Sequence, residues 1–177
     1  MIKSKSCGMS RNSKCKKGSN DKPNTSAPIF IVSVFIIYEE RFIIFKRDDG
    51  FYGPITGKVD VNETCIGAII REVKEEASIF LKQIQINCVD HEFLCLSPKG
   101  KMVYGKTFYS ILDSTIFDFS GINLNSELLD YKLFSPKVSC ELIKKCGQPE
   151  AYEGIQAVSE SLKTGRGNIS RAASELP

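Results

Sequence analysis

The sequence predicts an α/β protein in which a mixed β-sheet lies between helices. Three observations predict it. Two runs rich in Ile, Val and Phe, Ile29–Tyr38 and Phe42–Arg47, stand close together. One amphipathic stretch, Glu63–Ala77, separates them from two further strand-like runs. Two more amphipathic stretches close the sequence. A hydrophobic share of 42% with 25% charged residues is a globular balance. It excludes a wholly disordered chain, a collagen and a coiled coil. At 177 residues the expectation is one domain, large enough to bury about 70% of the unfolded chain's surface.

The elements follow in order. Ile29–Tyr38 and Phe42–Arg47 are separated by Glu39-Glu40-Arg41 and read as a hairpin. Asp48–Thr56 carries Asp48-Asp49-Gly50, Gly53 and Pro54 and reads as a loop. A helix is expected over Glu63–Ala77. Strands are expected at Gln83–Leu96 and Met102–Leu112, joined by the turn Ser97–Lys101, with a short one at Tyr131–Phe134. Lys137–Lys145 and Glu150–Leu162 read as amphipathic helices. There is no internal repeat.

Charge divides the chain. Lys and Arg number 24 and Asp and Glu 21, a net of +3. Met1–Ala27 alone carries seven cations and one anion, so the rest of the chain is net −3. Residues 1–27 form a basic leader with almost no large apolar side chains and are expected to be disordered. Their functional alternative is an arm touching an anionic surface or RNA. The domain is expected over residues 28–163, with a flexible tail at 164–177.

Seven cysteines without a CxxC pair do not form a secreted disulfide framework. The expected setting is reducing, intracellular and cytoplasmic. Cys88, Asp90, His91 and Cys95 fit no zinc spacing and read as buried thiols and strand residues. The longest apolar stretch, Ala27–Tyr38, is about half the length of the roughly 20-residue spanning helix. It is followed by Glu39, Glu40 and Arg41 rather than a cleavage site, so a buried strand is expected and no membrane span.

The segment that carries chemistry is the predicted helix with the loop before it. Ile66, Ile69, Ile70 and Val73 lie at i, i+3, i+4 and i+7 and form an apolar stripe. Glu72, Glu75 and Glu76 share the adjacent face, and Arg71 is expected to point further round. Like charges at this spacing repel by a few tenths of a kcal/mol per pair. Two readings follow. One is a solvated, mixed-charge face, relieved by Arg71 and Lys74. The other is a site for a hard divalent cation, which takes oxygen ligands and shares them with phosphates.

The wider spacing chooses between them. Gly57 is followed by five residues and Glu63, then by seven residues and Arg71-Glu72-Val73-Lys74-Glu75-Glu76-Ala77-Ser78-Ile79. This 23-residue segment resembles the Nudix box. Only Ser78 departs from the pattern, where the family has Gly in a position suited to a left-handed helix end. Ser takes that conformation at a steric cost, so a differently built helix end is expected.

The resemblance implies an α/β/α sandwich and hydrolysis of a pyrophosphate bond, in a nucleoside diphosphate linked to another group or in a nucleoside triphosphate. It implies Mg²⁺ or Mn²⁺ held by Glu72, Glu75 and Glu76, with Glu76 the foremost direct ligand and the Thr56 carbonyl a further one. Glu72 or Glu75 would orient or deprotonate the attacking water. Glu63 would pair with Arg71 and hold the loop, next to Gly57. Many family members add an acidic residue from a later loop, for which Asp113, Asp118 and Glu127 are the candidates. Lys46 and Arg47 are candidate phosphate contacts or else a solvated strand end. Phe51, Tyr52, Phe108 and Tyr109 are candidate base-stacking residues or else core. The expected partner is a nucleotide-type small molecule. Two other functions are compatible: a catalytically silent nucleotide sensor, and an RNA 5′-pyrophosphohydrolase using the basic leader.

Overall fold

A computed structural model describes residues 28–97 and 100–165. The basic leader and most of the expected tail lie outside them. The elements in chain order are β1 (Ile29–Tyr38), β2 (Arg41–Arg47), β3 (Tyr52–Gly53), β4 (Ile55–Lys58), α1 (Cys65–Ala77), β5 (Ile86–Leu96), β6 (Met102–Ile111), β7 (Leu128–Phe134), α2 (Pro136–Cys146) and α3 (Pro149–Thr164). Short 3₁₀ turns stand at Gln83–Gln85 and Phe119–Gly121.

The sheet has seven strands in the order β3-β2-β1-β6-β5, with β4 also paired to β1 and β7 to β2. β1 runs parallel to β6, while its pairings with β2 and β4 are antiparallel. The mixed sheet expected from the sequence is therefore present. Side chains alternate between its faces. Val32, Val34 and Ile36 of β1, with Ile43 and Phe45 of β2, pack toward Ala68, Ile69, Val73 and Ala77 of α1. Phe35 and Ile37 of β1, with Phe42 and Ile44 of β2, pack toward Ile143 of α2 and Ile155 and Val158 of α3. Burial on both faces explains why these two strands read as unbroken apolar runs.

Several boundaries differ from expectation. Asp48–Thr56 contains β3 and the start of β4, strands so short that Gly and Pro dominate their sequence signal. β5 begins at Ile86, because Gln83–Gln85 is a 3₁₀ turn. β7 starts three residues early, at Leu128, because pairing with β2 from Phe42 to Arg47 extends it past its apolar end. α2 and α3 each begin with a Pro, whose missing N–H is unneeded in a first helical turn.

Cys65, Cys88, Cys95, Cys140 and Cys146 are all free thiols. His91 does not gather with the nearby thiols. Its Nδ1 lies 2.9 Å from Thr107 Oγ1, a contact within the fold. No helix among the described residues is long and apolar enough to cross a membrane.

The β1–β2 hairpin closes through Glu39 and Glu40, both at positive φ (47° and 60°), with Tyr38 opposite Arg41. Two such residues make a type I′ turn, which favours Asn-Gly. The Arg41–Glu39 ion pair is half exposed on both sides and contributes little. Replacing Glu39 by Asn and Glu40 by Gly is expected to raise stability by about 1 kcal/mol. Denaturant unfolding checks this, and a loss of stability contradicts the turn assignment.

Candidate active site

The site is built on α1 and the loop before it. Thr64 caps the helix, its Oγ1 accepting from the Gly67 N–H at 3.0 Å. The helix therefore starts two residues later than expected, and Glu63 is left in the loop. Glu63 accepts from Arg71 Nε at 2.9 Å and from Arg71 Nη2 at 2.8 Å, a two-pronged pair. It also accepts from the Asp60 N–H at 3.0 Å, and Arg71 Nη2 reaches the Lys58 carbonyl at 2.8 Å. This is the loop-holding arrangement the box resemblance implies. Hydrogen bonding to Arg71 holds the Glu63 carboxyl below its usual range.

Arg71 does not point away from the acidic face, as its place on the helix suggested. Its Nη1 donates to Glu72 at 2.7 Å and to Glu75 at 3.4 Å. The long side chain folds back along the helix, and charge attraction sets its direction. Lys74 is turned elsewhere, over the Phe80 ring, and leaves the relief of charge to Arg71.

Gly57 on β4 is required by space. A Cβ there would stand 1.9 Å from Glu72 Cγ and 2.4 Å from Glu72 Oε1. The missing side chain is what lets Glu72 lie against β4, so strand and helix together seat this carboxylate. Thr56, the preceding residue, accepts from Arg47 Nη1 at 3.1 Å through its hydroxyl.

Glu76 differs from its neighbours. It is 3% exposed, and its Oε2 is buried without a hydrogen-bond partner. Burial raises its pKa from an ordinary 4.5 to about 8, reinforced by Glu127, Glu72 and Glu75 and opposed by Arg47. Burying an unpaired carboxylate among like charges destabilises the fold. An oxygen-only cluster with one orphaned buried oxygen fits a hard divalent cation such as Mg²⁺ or Mn²⁺. Among the described residues no three such side chains are gathered into a ready-made metal cage. Glu72 and Glu75 are instead bonded to Arg71.

Of the three later acidic candidates, the fold brings Glu127 into electrostatic contact with Glu76. Asp113 accepts from Thr115 and Asp118 from Ser120, each closing a local turn. No sequence spacing marks Glu127, because the loop from Leu112 to Leu128 has no repeating pattern.

The remaining candidates separate by face. Arg47 lies at the site, bonded to Thr56 and to Asp49. Lys46 stands opposite Tyr52 on the sheet face covered by α2 and α3, and Tyr52 packs into that core. Phe51 is exposed in the loop, its backbone tied to Arg47 and to the Asp49 side chain. Phe108 and Tyr109 are buried in the two cores and are not free to stack on a base.

Ser78 also corrects an expectation. It takes the left-handed conformation (φ 57°, ψ 23°) in which Gly is favoured, so the helix end is built as with Gly. The strain of about 1–2 kcal/mol is offset by the Ser78 hydroxyl, which donates to the Asn123 carbonyl at 3.1 Å.

Solved structures resemble this one along most of their length. An Ap4A hydrolase from C. elegans is 20% identical, with a TM-score of 0.62 over 77% of this chain and 98% of the other. A dihydroneopterin triphosphate pyrophosphohydrolase from E. coli is 23% identical, with a TM-score of 0.58 over 73% of this chain and 95% of the other. A NUDIX hydrolase from Nitrosomonas europaea is 17% identical, with a TM-score of 0.62 over 76% and 90%. No protein-family model and no curated protein matches the sequence. The fold is the α/β/α sandwich of these solved structures, a NUDIX hydrolase among them.

Glu76 gives the site a pH signature. With its folded pKa near 8 and an ordinary value of 4.5 when unfolded, the native state holds the extra proton between these pH values. Stability from this group is thus intact below about pH 4.5 and falls as pH rises to about 8. Glu76→Gln is expected to leave metal-free stability near wild type at pH 5 and to raise it by more than about 1 kcal/mol at pH 8.5. Denaturant unfolding in a chelator at both pH values checks this. An equal effect at the two values contradicts it.

Proposed function

We propose that the protein is a Nudix-type hydrolase that cleaves a pyrophosphate bond in a nucleotide-type substrate with the help of Mg²⁺ or Mn²⁺. The observation that carries this reading is the buried Glu76 oxygen without a hydrogen-bond partner, on a carboxyl that feels the charges of Glu127, Glu72 and Glu75. The names of two structural relatives, an Ap4A hydrolase and a triphosphate pyrophosphohydrolase, support substrates containing phosphoanhydrides.

Glu76 is the principal ligand, with Glu72, Glu75, the Thr56 carbonyl and Glu127 the further candidates. A divalent cation bound there would screen the pyrophosphate charge, lower the pKa of a water and stabilise the leaving phosphate. Glu72 or Glu75 accepts the proton of the attacking water as general base. Glu75 is the more exposed of the two, with 57% of its side chain open against 15% for Glu72. Arg71 and Glu63 keep the loop closed on the helix and hold Glu72 in place. Arg47 supplies a cation beside the carboxylates and contacts a substrate phosphate. Phe51 is the exposed ring nearest to Arg47 in sequence and the candidate for stacking on a base.

The test is a panel of nucleoside diphosphate conjugates and nucleoside triphosphates with Mg²⁺ or Mn²⁺, read by product identity. Metal-dependent release of a nucleoside monophosphate or pyrophosphate is expected. Glu76→Gln is expected to lower kcat by at least about 100-fold with the fold retained, since even indirect metal contacts are worth 10–100-fold. Full activity in that variant contradicts the ligand assignment. Tight nucleotide binding without any product points instead to a silent nucleotide sensor.

A further inference from the structure

The left-handed Ser78 has a consequence beyond the helix end. Its hydroxyl donates to the Asn123 carbonyl at 3.1 Å. Two residues of the same loop clasp the last carbonyls of α1. The Asn123 N–H donates to Ala77 at 3.2 Å, and the Asn125 N–H donates to Glu76 at 2.9 Å. The Asn125 side chain then accepts from the Glu127 N–H at 2.9 Å, and the Glu127 carbonyl accepts from the Asp48 N–H at 2.9 Å. Ser78 thus holds Asn123 and, two residues further on, Asn125 holds both the Glu76 carbonyl and the Glu127 N–H.

Gly would fit the conformation of residue 78 with less strain but has no hydroxyl to give. The serine adds a side-chain bond to the loop that a glycine cannot make. Glu127 is the part of that loop whose charge Glu76 feels most strongly.

We propose that Ser78 is a positioning residue. Its hydroxyl fastens the segment Asn123–Glu127 to the end of α1 and so sets the Glu127 carboxylate beside Glu76 as part of the divalent-cation site. This rests on the reading of that site as a cation site. Ser78 touches neither substrate nor cation and acts through Asn123, Asn125 and Glu127.

The experiment uses the full chain with Ser78→Gly, Ser78→Asn, Glu127→Gln and the Ser78→Gly/Glu127→Gln pair. Ser78→Gly is expected to unfold no earlier than wild type, because Gly relaxes the helix end. In the same variant the Asn123 and Asn125 amides exchange faster with solvent. Its Mn²⁺ affinity by calorimetry falls by about tenfold, the size of effect seen when an outer contact of a metal site is lost. Ser78→Asn restores most of that affinity, since Asn tolerates the left-handed conformation and its amide can donate. In the Glu127→Gln background, Ser78→Gly changes Mn²⁺ affinity by less than about twofold, as expected for residues acting through one another. Wild-type exchange and affinity in Ser78→Gly overturn the role given to Ser78. So does an effect of equal size in the Glu127→Gln background. Wild-type protein that binds no Mn²⁺ overturns the reading of the site and this inference with it.

Discussion

Arg71 is the charge on which the site depends. Glu63, Glu72 and Glu75 all bond to its guanidinium, and so does the Lys58 carbonyl. Without it the loop before α1 would keep only the Thr64 cap on the helix, and three carboxylates would repel across one helical turn. The surrounding carboxylates raise the Arg71 pKa still further above an already high ordinary value, so the clamp stays charged at every relevant pH. A single guanidinium with five N–H donors can do this, whereas a lysine ammonium could not span loop and helix with the same geometry.

The clamp leaves one carboxylate out. Glu76 lies on the buried side of the acidic face, outside the hydrogen bonds that Arg71 makes, and the cation that opposes its raised pKa is Arg47. The fold thus neutralises the exposed part of the cluster with its own arginine and leaves the buried part with a shortage of positive charge. Gly57 and the loop around Glu127 close on this region from two sides. The acidic face is consequently a place where strand, helix and a distant loop converge, while the opposite face of the sheet is filled by α2 and α3.

Much of this was legible in the sequence, for reasons that differ by element. The apolar runs of β1 and β2 and the stripe on α1 are long and periodic, so composition alone marks them. The pairing of Glu63 with Arg71 is what the resemblance to the box implies, and the two side chains are bonded in the structure. What the sequence hid is tertiary. The direction of Arg71 is set by charges eight and four residues away, not by its place on the helical wheel. Lys46 and Tyr52 fall on the far face because β2 meets β3 in one particular register. Phe108 and Tyr109 point to opposite faces of β6, and both are buried because helices cover both faces of the sheet. Glu127 was one of three acidic residues in an unpatterned loop, and only the bonds of Asn123 and Asn125 to the end of α1 single it out. Ser78 departs from the box pattern at a position that favours Gly, yet it keeps the left-handed geometry with its hydroxyl bonded to Asn123, a contact no sequence pattern reveals.

Burial pushes the pKa of the Glu76 carboxyl up to about 8, so the proposed divalent cation would displace a proton there near neutral pH. Calorimetric titration with Mn²⁺ at pH 7, in buffers of different ionisation heat, tests it most directly. Release of about one proton for each cation bound is expected, fading by pH 9 and absent in Glu76→Gln. Binding heats that do not depend on the buffer at pH 7, or the same proton release in the Gln variant, would contradict it.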